Sequence, residues 1–314
     1  MTQLLELADQ YSCPQITPML TLCAMSTPFK QIALFGKPNP LISKTLTVIY
    51  RYLTSNGYSV LIENDIAPFL PADNSAQSMA LDKLPAHSEL AIAIGGDGTF
   101  LSAARTFSKH QIPLIGINMG RLGFLVDISP TDLPEKLEAV LKGDYIAEER
   151  HLINVRIIRD NRVIHQQIAM NEVVIHRWVT PEMIHINTKI NDVFLNEQRS
   201  DGLIISTPTG STAYALSGGG PIITPTQNVS LLVPINPHTL SHRPIIIDAD
   251  SEIEITFTQN THINAQISCD EIAIPDVTIH DRVLVNKAPE KVRILHPSDY
   301  DFYNTLRAKL HWSI

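Results

Sequence analysis

Residues 91–105 read AIAIGGDGTFLSAAR: a short apolar run, three glycines around one carboxylate, Asp97, and then a run with helical spacing. The apolar run has the length of a buried strand, and the residues from Thr99 onward have the period of a helix. Gly96 and Gly98 leave the main chain open to close approach because they lack a Cβ. Free backbone N–H groups at the start of a helix attract anions. Two readings follow: a capped turn that joins a strand to a helix, or a place where a phosphate lies against the backbone. Asp97 fits the second only if it does something other than bind phosphate, such as handling a hydroxyl proton or helping to hold Mg²⁺. Two common nucleotide signatures are absent here. No G-x-x-x-x-G-K-[ST] occurs, and Leu101 stands where G-x-G-x-x-G would place its third glycine.

Working outward, strands and helices alternate over residues 30–148. QIALFG from Gln31, YSVLIE from Tyr58, LAIAI from Leu90 and PLIGIN from Pro113 read as strands. Between and after them, Ile42, Leu46, Ile49, Tyr50 and Leu53 recur at helical spacing, and TDLPEKLEAVLKG from Thr131 ends a helix on Gly143. This alternation predicts an α/β domain with a Rossmann-like parallel sheet. From Glu149 the character changes to short β-rich runs such as LINVRII, EVVIHR, GLIIST, SLLVPI, EIEITF and RVLVNK. They predict an all-β, sandwich-like domain over residues 149–294. Residues 295–314 are expected to form a C-terminal helix that packs back on the first domain, with Phe302, Leu306 and Leu310 on one face. Residues 1–29 show no clear period and read as a loose extension. STPFKQIALFG after Met25 looks like a natural start, so residues 1–24 are expected to be a loose extension or upstream codons not always translated.

The chain has 314 residues, 44% apolar and 18% charged, with a formal net charge of −8. Such a length favours two domains over one core. The negative balance argues against binding to a nucleic-acid backbone, which draws mainly on Lys and Arg. No apolar run approaches the roughly 20 residues of a membrane span, and no signal peptide is evident at the N-terminus. The three cysteines, Cys13, Cys23 and Cys269, have neither disulfide-framework nor metal-ligand spacing, which suggests free thiols and a cytoplasmic protein. His151, His165, His176 and His185 fall among strands and are read as surface or satisfied core residues. His238 and His242 lie four apart in NPHTLSHRP, where a proline-bounded turn is the expected role.

A second cluster, RSDGLIISTPTGSTAYALSGGGPI, runs from Arg199 to Ile222. Its hydroxyls (Thr207, Thr209, Ser211, Thr212, Tyr214 and Ser217) and glycines exceed what one turn needs. They suit phosphate and ribose, and Tyr214 suits stacking on a base. The plainer reading is a Ser/Thr-rich loop that caps a short helix.

GGDGT, the pair Asn171–Glu172, the block from Arg199 to Ile222 and PINPHTLSHRPIII from Pro234 occur in this order. Together they resemble the bacterial NAD kinases, over roughly residues 30–314. GGDGT alone is shared with lipid kinases and, in similar form, with 6-phosphofructokinases; TPTGSTAY with the NE pair is more specific. The resemblance implies transfer of the γ-phosphoryl group of ATP to the 2′-hydroxyl of the adenosine ribose of NAD, giving NADP. It implies Mg²⁺ or another divalent cation bound mainly through ATP, NAD and ATP as substrates, and a homo-oligomer, a dimer or tetramer. By motif, Asp97 would be the proton acceptor, while Gly96, Gly98 and Thr99 would approach phosphate. Asn171 and Glu172 would hold the adenosine part, with Glu172 near the ribose hydroxyls. Asp201 would bind the dinucleotide with Arg199 close by. Thr209 and the run Thr212, Ala213, Tyr214, Ala215, Leu216 and Ser217 would line the pocket, with Tyr214 against an adenine ring. The family commonly shows D-G-Q late in its β domain. Here Asp270 fits, but Glu271 and Ile272 depart from the pattern and suggest a deleted residue. Two rival readings remain open from sequence: another GGDGT kinase acting on lipid or sugar, and a dinucleotide-sensing module without turnover.

Overall fold

The computed structural model describes residues 29–120, 122–178, 182–258 and 265–312. Residues 1–28 of the expected N-terminal extension lie outside the described residues, and Phe29 packs against the core of the first lobe.

In the first lobe, β1 (Gln31–Gly36), α1 (Ile42–Ser55), β2 (Ser59–Glu63), β3 (Gln77–Met79), β4 (Leu90–Ile94), α2 (Asp97–Phe107), β5 (Leu114–Ile117) and α3 (Leu133–Leu141) follow in order. The strands pair in parallel in the order β3-β2-β1-β4-β5, with Ile32 beside Val60 and Leu90, and Ala91 beside Leu114. The pleat sorts side chains by face. Ile32, Leu34, Ile92 and Ile94 meet Leu46, Ile49 and Leu53 of α1 and Leu137 and Val140 of α3. Ala33, Ala91 and Ala93 turn the other way, and their small size lets Phe100, Ala104 and Phe107 of α2 come close to the sheet. The strand order reverses between β1 and β4, the kind of switch point where open α/β sheets hold ligands.

The second lobe contains β6 (Tyr145–Arg159), β7 (Arg162–Ala169), β8 (Glu172–Arg177), β9 (Ile184–Ile190), β10 (Val193–Ser200) and β11 (Gly202–Ser206). It continues through the short helix α4 (Tyr214–Ser217), β12 (Val229–Ile235), β13 (Ile245–Asp248), β14 (Ile253–Phe257), β15 (Ala265–Cys269), β16 (Ile272–Ile274) and β17 (Arg282–Pro297). One antiparallel sheet runs β13-β12-β11-β8-β15-β16. It faces β6, β9, β14 and β17 across a core that includes Val155, Ile157, Ile186 and Ile255 from one side and Val173, Ile175, Ile205 and Ile267 from the other. This is the sandwich that the sequence predicts.

One feature goes beyond that expectation. β17 pairs with β6 along nearly its whole length, from Arg282 opposite Ile158 to Pro297 opposite Tyr145, with a register shift between Lys287 and Lys291. Its far end joins the first lobe, where Ile294 pairs in parallel with Leu114 of β5. Its near end pairs with β14. One sheet therefore runs through both lobes. The last helix, α5 (Phe302–Leu310), starts later than the sequence suggests. The Asp301 carboxylate caps it by accepting from the Tyr303 N–H. It packs back on the first lobe as expected: Leu306 is buried, and Lys309 donates to the Leu122 carbonyl and lies 5.6 Å from the Phe124 ring centre.

Candidate active site

Asp97 is the first residue of α2, directly after the glycine turn that ends β4. Its side chain is fixed by a second loop: Oδ2 accepts from the Phe124 N–H and Oδ1 from the Leu125 N–H, both at 3.0 Å. A Cβ on Gly123 would stand 2.1 Å from Asp97 Oδ1, so this contact needs glycine there. Each carboxylate oxygen has two acceptor positions, and the loop fills one on each. The carboxylate is held in one orientation and keeps capacity for a further donor. Gly96 and Gly98 are exposed. Gly95, Gly96 and Thr99 line a cavity of about 250 Å³ together with Lys37, Pro38, Asn39 and Met119. This cavity lies at the switch point between β1 and β4. Lys37 brings a positive charge to it from the turn after β1.

Asn171 and Glu172 form the turn from β7 into β8. Asp270 builds this turn from below. Its Oδ1 accepts from the N–H groups of Asn171 and Glu172 at 2.8 and 3.2 Å, and its Oδ2 from the Met170 N–H and Arg105 Nη1 at 2.7 and 3.1 Å. Four donors fill the four acceptor positions of a carboxylate, and the side chain has no exposed surface. Asp270 thus ties α2 of the first lobe to the NE turn of the second and presents nothing to a ligand. The hairpin around it is complete. Cys269 pairs with Ile272, and Asp270 and Glu271 form a two-residue loop with φ of 44° and 68°. Positive φ at both loop positions is the geometry of a tight hairpin turn, so the pairing shows no gap where a residue would be missing.

Glu172 behaves differently. It is buried, its Oε2 has no hydrogen-bond partner, and it lines a cavity of about 960 Å³. Burial, with the nearby Asp270 and Glu271 charges, pushes its carboxyl up to about 8. Asp201 lines the same cavity, paired with Arg177 Nε at 2.7 Å and accepting from Asn236 Nδ2 at 3.0 Å. Tyr214 lines it as well, half exposed at the start of α4. His176, Ser268 and Glu271 complete its polar edge.

The rest of the threonine-rich block is mostly scaffolding. Thr207 Oγ1 donates to the Met170 carbonyl, and the Thr207 N–H donates to the Asn171 carbonyl. Gly210 passes so close that a Cβ would stand 2.3 Å from the Asn171 oxygen. Thr209 is buried, and its hydroxyl accepts from Arg150 Nη1 at 3.2 Å. Thr212 Oγ1 donates to the Thr209 carbonyl. Ala215 belongs to a small core with Val174, Ile204 and Leu231. Ala213, Leu216 and Ser217 shape α4 around Tyr214 without lining the large cavity. Arg199 is exposed on β10 and is not among the residues that line it either. Its carbonyl accepts from the His238 N–H, which fastens the proline-bounded turn.

The structure therefore brings Glu172, Asp201 and Tyr214 to one cavity, and Gly96 and Thr99 to another. Asp97 stands at the head of the helix that Arg105 links to the NE turn through Asp270. Comparison with known proteins agrees with these motifs. Residues 32–145 match the model of the ATP-NAD kinase N-terminal domain and residues 170–297 that of the ATP-NAD kinase C-terminal domain. An NAD kinase of Methylococcus capsulatus is 51% identical over 290 residues, covering 92% of this chain and 99% of its own. The chain belongs to the ATP-NAD kinase family. An NAD kinase of Pseudoalteromonas translucida is 43% identical over 289 residues, covering 92% of this chain and 98% of its own. Two solved structures share the fold at 22% identity. Yeast NADH kinase complexed with NADH has a TM-score of 0.82 and covers 92% of this chain and 89% of its own. An NAD kinase from Archaeoglobus fulgidus in complex with ATP has a TM-score of 0.68 and covers 90% and 98%.

Arg177 and Lys37 carry no signal as site residues in the strand and helix pattern, and His176, expected at the surface or satisfied in the core, lines the large cavity. Arg177 ends a run that reads simply as a strand, so nothing local marks it. Lys37 leaves its signal in a turn instead, since GKPNP follows a strand as a glycine–proline turn carrying one cation. His151 was expected on the surface or satisfied. It is buried, and its Nε2 lacks a hydrogen-bond partner.

Proposed function

We propose that the protein transfers the γ-phosphoryl group of ATP to the 2′-hydroxyl of the adenosine ribose of NAD, with Asp97 accepting the hydroxyl proton. The observation that carries this reading is Glu172, a buried carboxyl that lines a cavity large enough for a nucleoside and leaves one oxygen without a hydrogen-bond partner. A buried acceptor left open is costly unless a ligand fills it, and vicinal ribose hydroxyls are donors of the right reach. Tyr214 offers a ring face to the base, and Asp201, oriented by Arg177 and Asn236, offers an acceptor to a second polar group.

The smaller cavity, with Lys37 and the exposed backbone of Gly96, suits the triphosphate. The 2′-oxygen forms a bond to the γ-phosphorus as the bond to the β,γ-bridging oxygen breaks, ADP leaves, and the hydroxyl proton passes to Asp97. Much of the catalysis in such a transfer is alignment and charge neutralisation. The two N–H groups that hold Asp97 provide its alignment. Among the described residues no three acidic, histidine or cysteine side chains gather to cage a metal. Mg²⁺ often keeps few protein ligands, and the open acceptor positions of Asp97 beside the glycine turn fit an ion carried in on the nucleotide. Bound there, Mg²⁺ would neutralise charge on the phosphate oxygens. Self-association belongs to the same reading: β10 is a sheet edge that exposes Val193 and Phe194, and light scattering of the pure protein tests it.

The test is formation of NADP from NAD, ATP and Mg²⁺, repeated with NADH as acceptor and polyphosphate as donor. Asp97→Asn should keep the fold and lose about 10²–10⁴-fold in kcat, the usual contribution of a positioned base. A folded variant with near-normal turnover removes Asp97 from the role.

A further inference from the structure

The two halves of the site sit on different lobes, and a buried chain of charges connects them. His296, at the end of β17, has no exposed surface. Its Nδ1 lies 2.7 Å from Asp127 Oδ2 and its Nε2 3.2 Å from Glu148 Oε2. The same Glu148 oxygen accepts from Arg150 Nη2 at 2.8 Å, and Arg150 Nη1 donates to Thr209 Oγ1 at 3.2 Å. Asp127 lies two residues beyond Leu125, whose N–H holds Asp97. Thr209 opens the turn that leads to Tyr214. The tie thus runs from the loop that orients the proposed base to the turn that carries the proposed base-stacking ring.

We propose that His296 is a positioning residue for phosphoryl transfer, held as an imidazolium between Asp127 and Glu148 so that the Asp97 loop and the Thr209 turn keep a fixed separation. The proposal rests on the kinase reading above. Nδ1 is hydrogen-bonded to Asp127, and Nε2 lies 3.2 Å from the Glu148 oxygen without a hydrogen bond, so a neutral ring would turn a lone pair toward one of two carboxylates, whereas the charged ring suits both. With that charge, the sequence Asp127, His296, Glu148, Arg150 alternates in sign and sums to zero. Tyr300 stacks on the ring at 3.8 Å with 10° between planes and is a neutral phenol pushed up to about 12 by burial, while the Arg150 charge works against a charged ring. Burial works against the charged His296, but its contacts with Asp127 and Glu148 outweigh that and push it up. Burial would likewise raise Glu148, yet His296 and Arg150 bring it down to about 2.

Stability does not explain the chain well. Asp127 Oδ1, Arg150 Nε, His296 Nε2 and the Tyr300 hydroxyl are buried without hydrogen-bond partners, and a buried ionic group with loose ends is a weak stabiliser compared with apolar packing. What it does supply is geometry, since each member fixes the next.

Two measurements test this. In protein labelled with ¹⁵N-histidine, the His296 ring should show both nitrogens protonated at pH values where an ordinary imidazole is neutral. A His296 ring that is neutral at pH 7.5 overturns the proposal. His296→Gln should lower kcat for NADP formation about 10- to 100-fold, the scale of a misplaced reacting group. KM for NAD and for ATP should stay within about twofold, and the circular dichroism at the assay temperature should match the wild type. Unchanged kcat in folded H296Q overturns it, as does a loss that merely follows the unfolded fraction. Asp97→Asn run alongside separates the two ideas: an active, folded H296Q beside an inactive D97N overturns the positioning role of His296 and leaves the base assignment standing.

Discussion

Glu172→Gln should make the unliganded protein more stable while weakening its hold on NAD, and the stability gain should grow with pH. Burial with two nearby acids takes the Glu172 carboxyl from an ordinary 4.5 to about 8. The sign follows from proton counting. Between those values the folded chain holds a proton that the unfolded chain has released, so stability falls as pH rises. The slope is about 1.4 kcal/mol per pH unit, the loss by about pH 7 is about 3 kcal/mol, and the ceiling above about pH 8 is about 5 kcal/mol. Glutamine imitates the protonated acid at every pH and escapes the loss. Urea unfolding of both proteins at about pH 5, 7 and 8.5 should show nearly equal midpoints at the lowest value and a widening lead for E172Q above it. Saturating NAD should close the gap if, as proposed, ribose hydroxyls donate to the ionised wild-type carboxylate, and calorimetry in two buffers should then detect the proton released on binding. An E172Q protein whose stability matches the wild type throughout this range would refute the reasoning, since the carboxyl would then ionise without penalty.

Gly123→Ala should reproduce much of the Asp97→Asn defect without touching the carboxylate chemically: the new Cβ must displace Asp97 Oδ1, which stands 2.1 Å from its position. Steady-state turnover together with an unchanged fold by circular dichroism checks this. Asp270→Asn replaces an acceptor that serves four donors by a group that must turn its own N–H₂ toward two of them. The expected loss is about 3–5 kcal/mol in urea unfolding, the range for breaking a buried ion pair, with a raised KM for NAD in whatever fraction stays folded.

The alternation of strands and helices before residue 149 is plain in the sequence because each element there buries one regular face: LAIAI sorts its leucine and isoleucines from its alanines, and α1 repeats Leu46, Ile49 and Leu53. The glycine turn and the threonine block are legible for a related reason, since chemistry concentrates within a few consecutive residues. The bridge made by β17 is not. Its partners in β6 lie more than a hundred positions earlier, and no local period records a long-range pairing. Asp270 is similar. In sequence it is an acid in a hairpin, indistinguishable from one that would meet a ligand; only the convergence of Arg105 and three N–H groups shows that it works inward. Arg177 and His296 are single residues within strand-like runs, and their partners Asp201, Asp127 and Glu148 come together only in three dimensions.

The long pairing of β6 with β17 also bears on how the chain is made. As the protein leaves the ribosome, residues 30–144 emerge with all that the five-stranded sheet needs except the strand that covers β5. That strand lies about 180 residues later along the chain, so the Leu114 end of the β5 edge stays open through most of synthesis, while Ile128 already bonds the Gly116–Asn118 end. Pairings so distant in sequence form slowly, and an uncovered sheet edge invites association with other nascent chains. Molecules cut short before Arg282 should therefore be the ones that aggregate or bind chaperones, while full-length chains close the gap themselves.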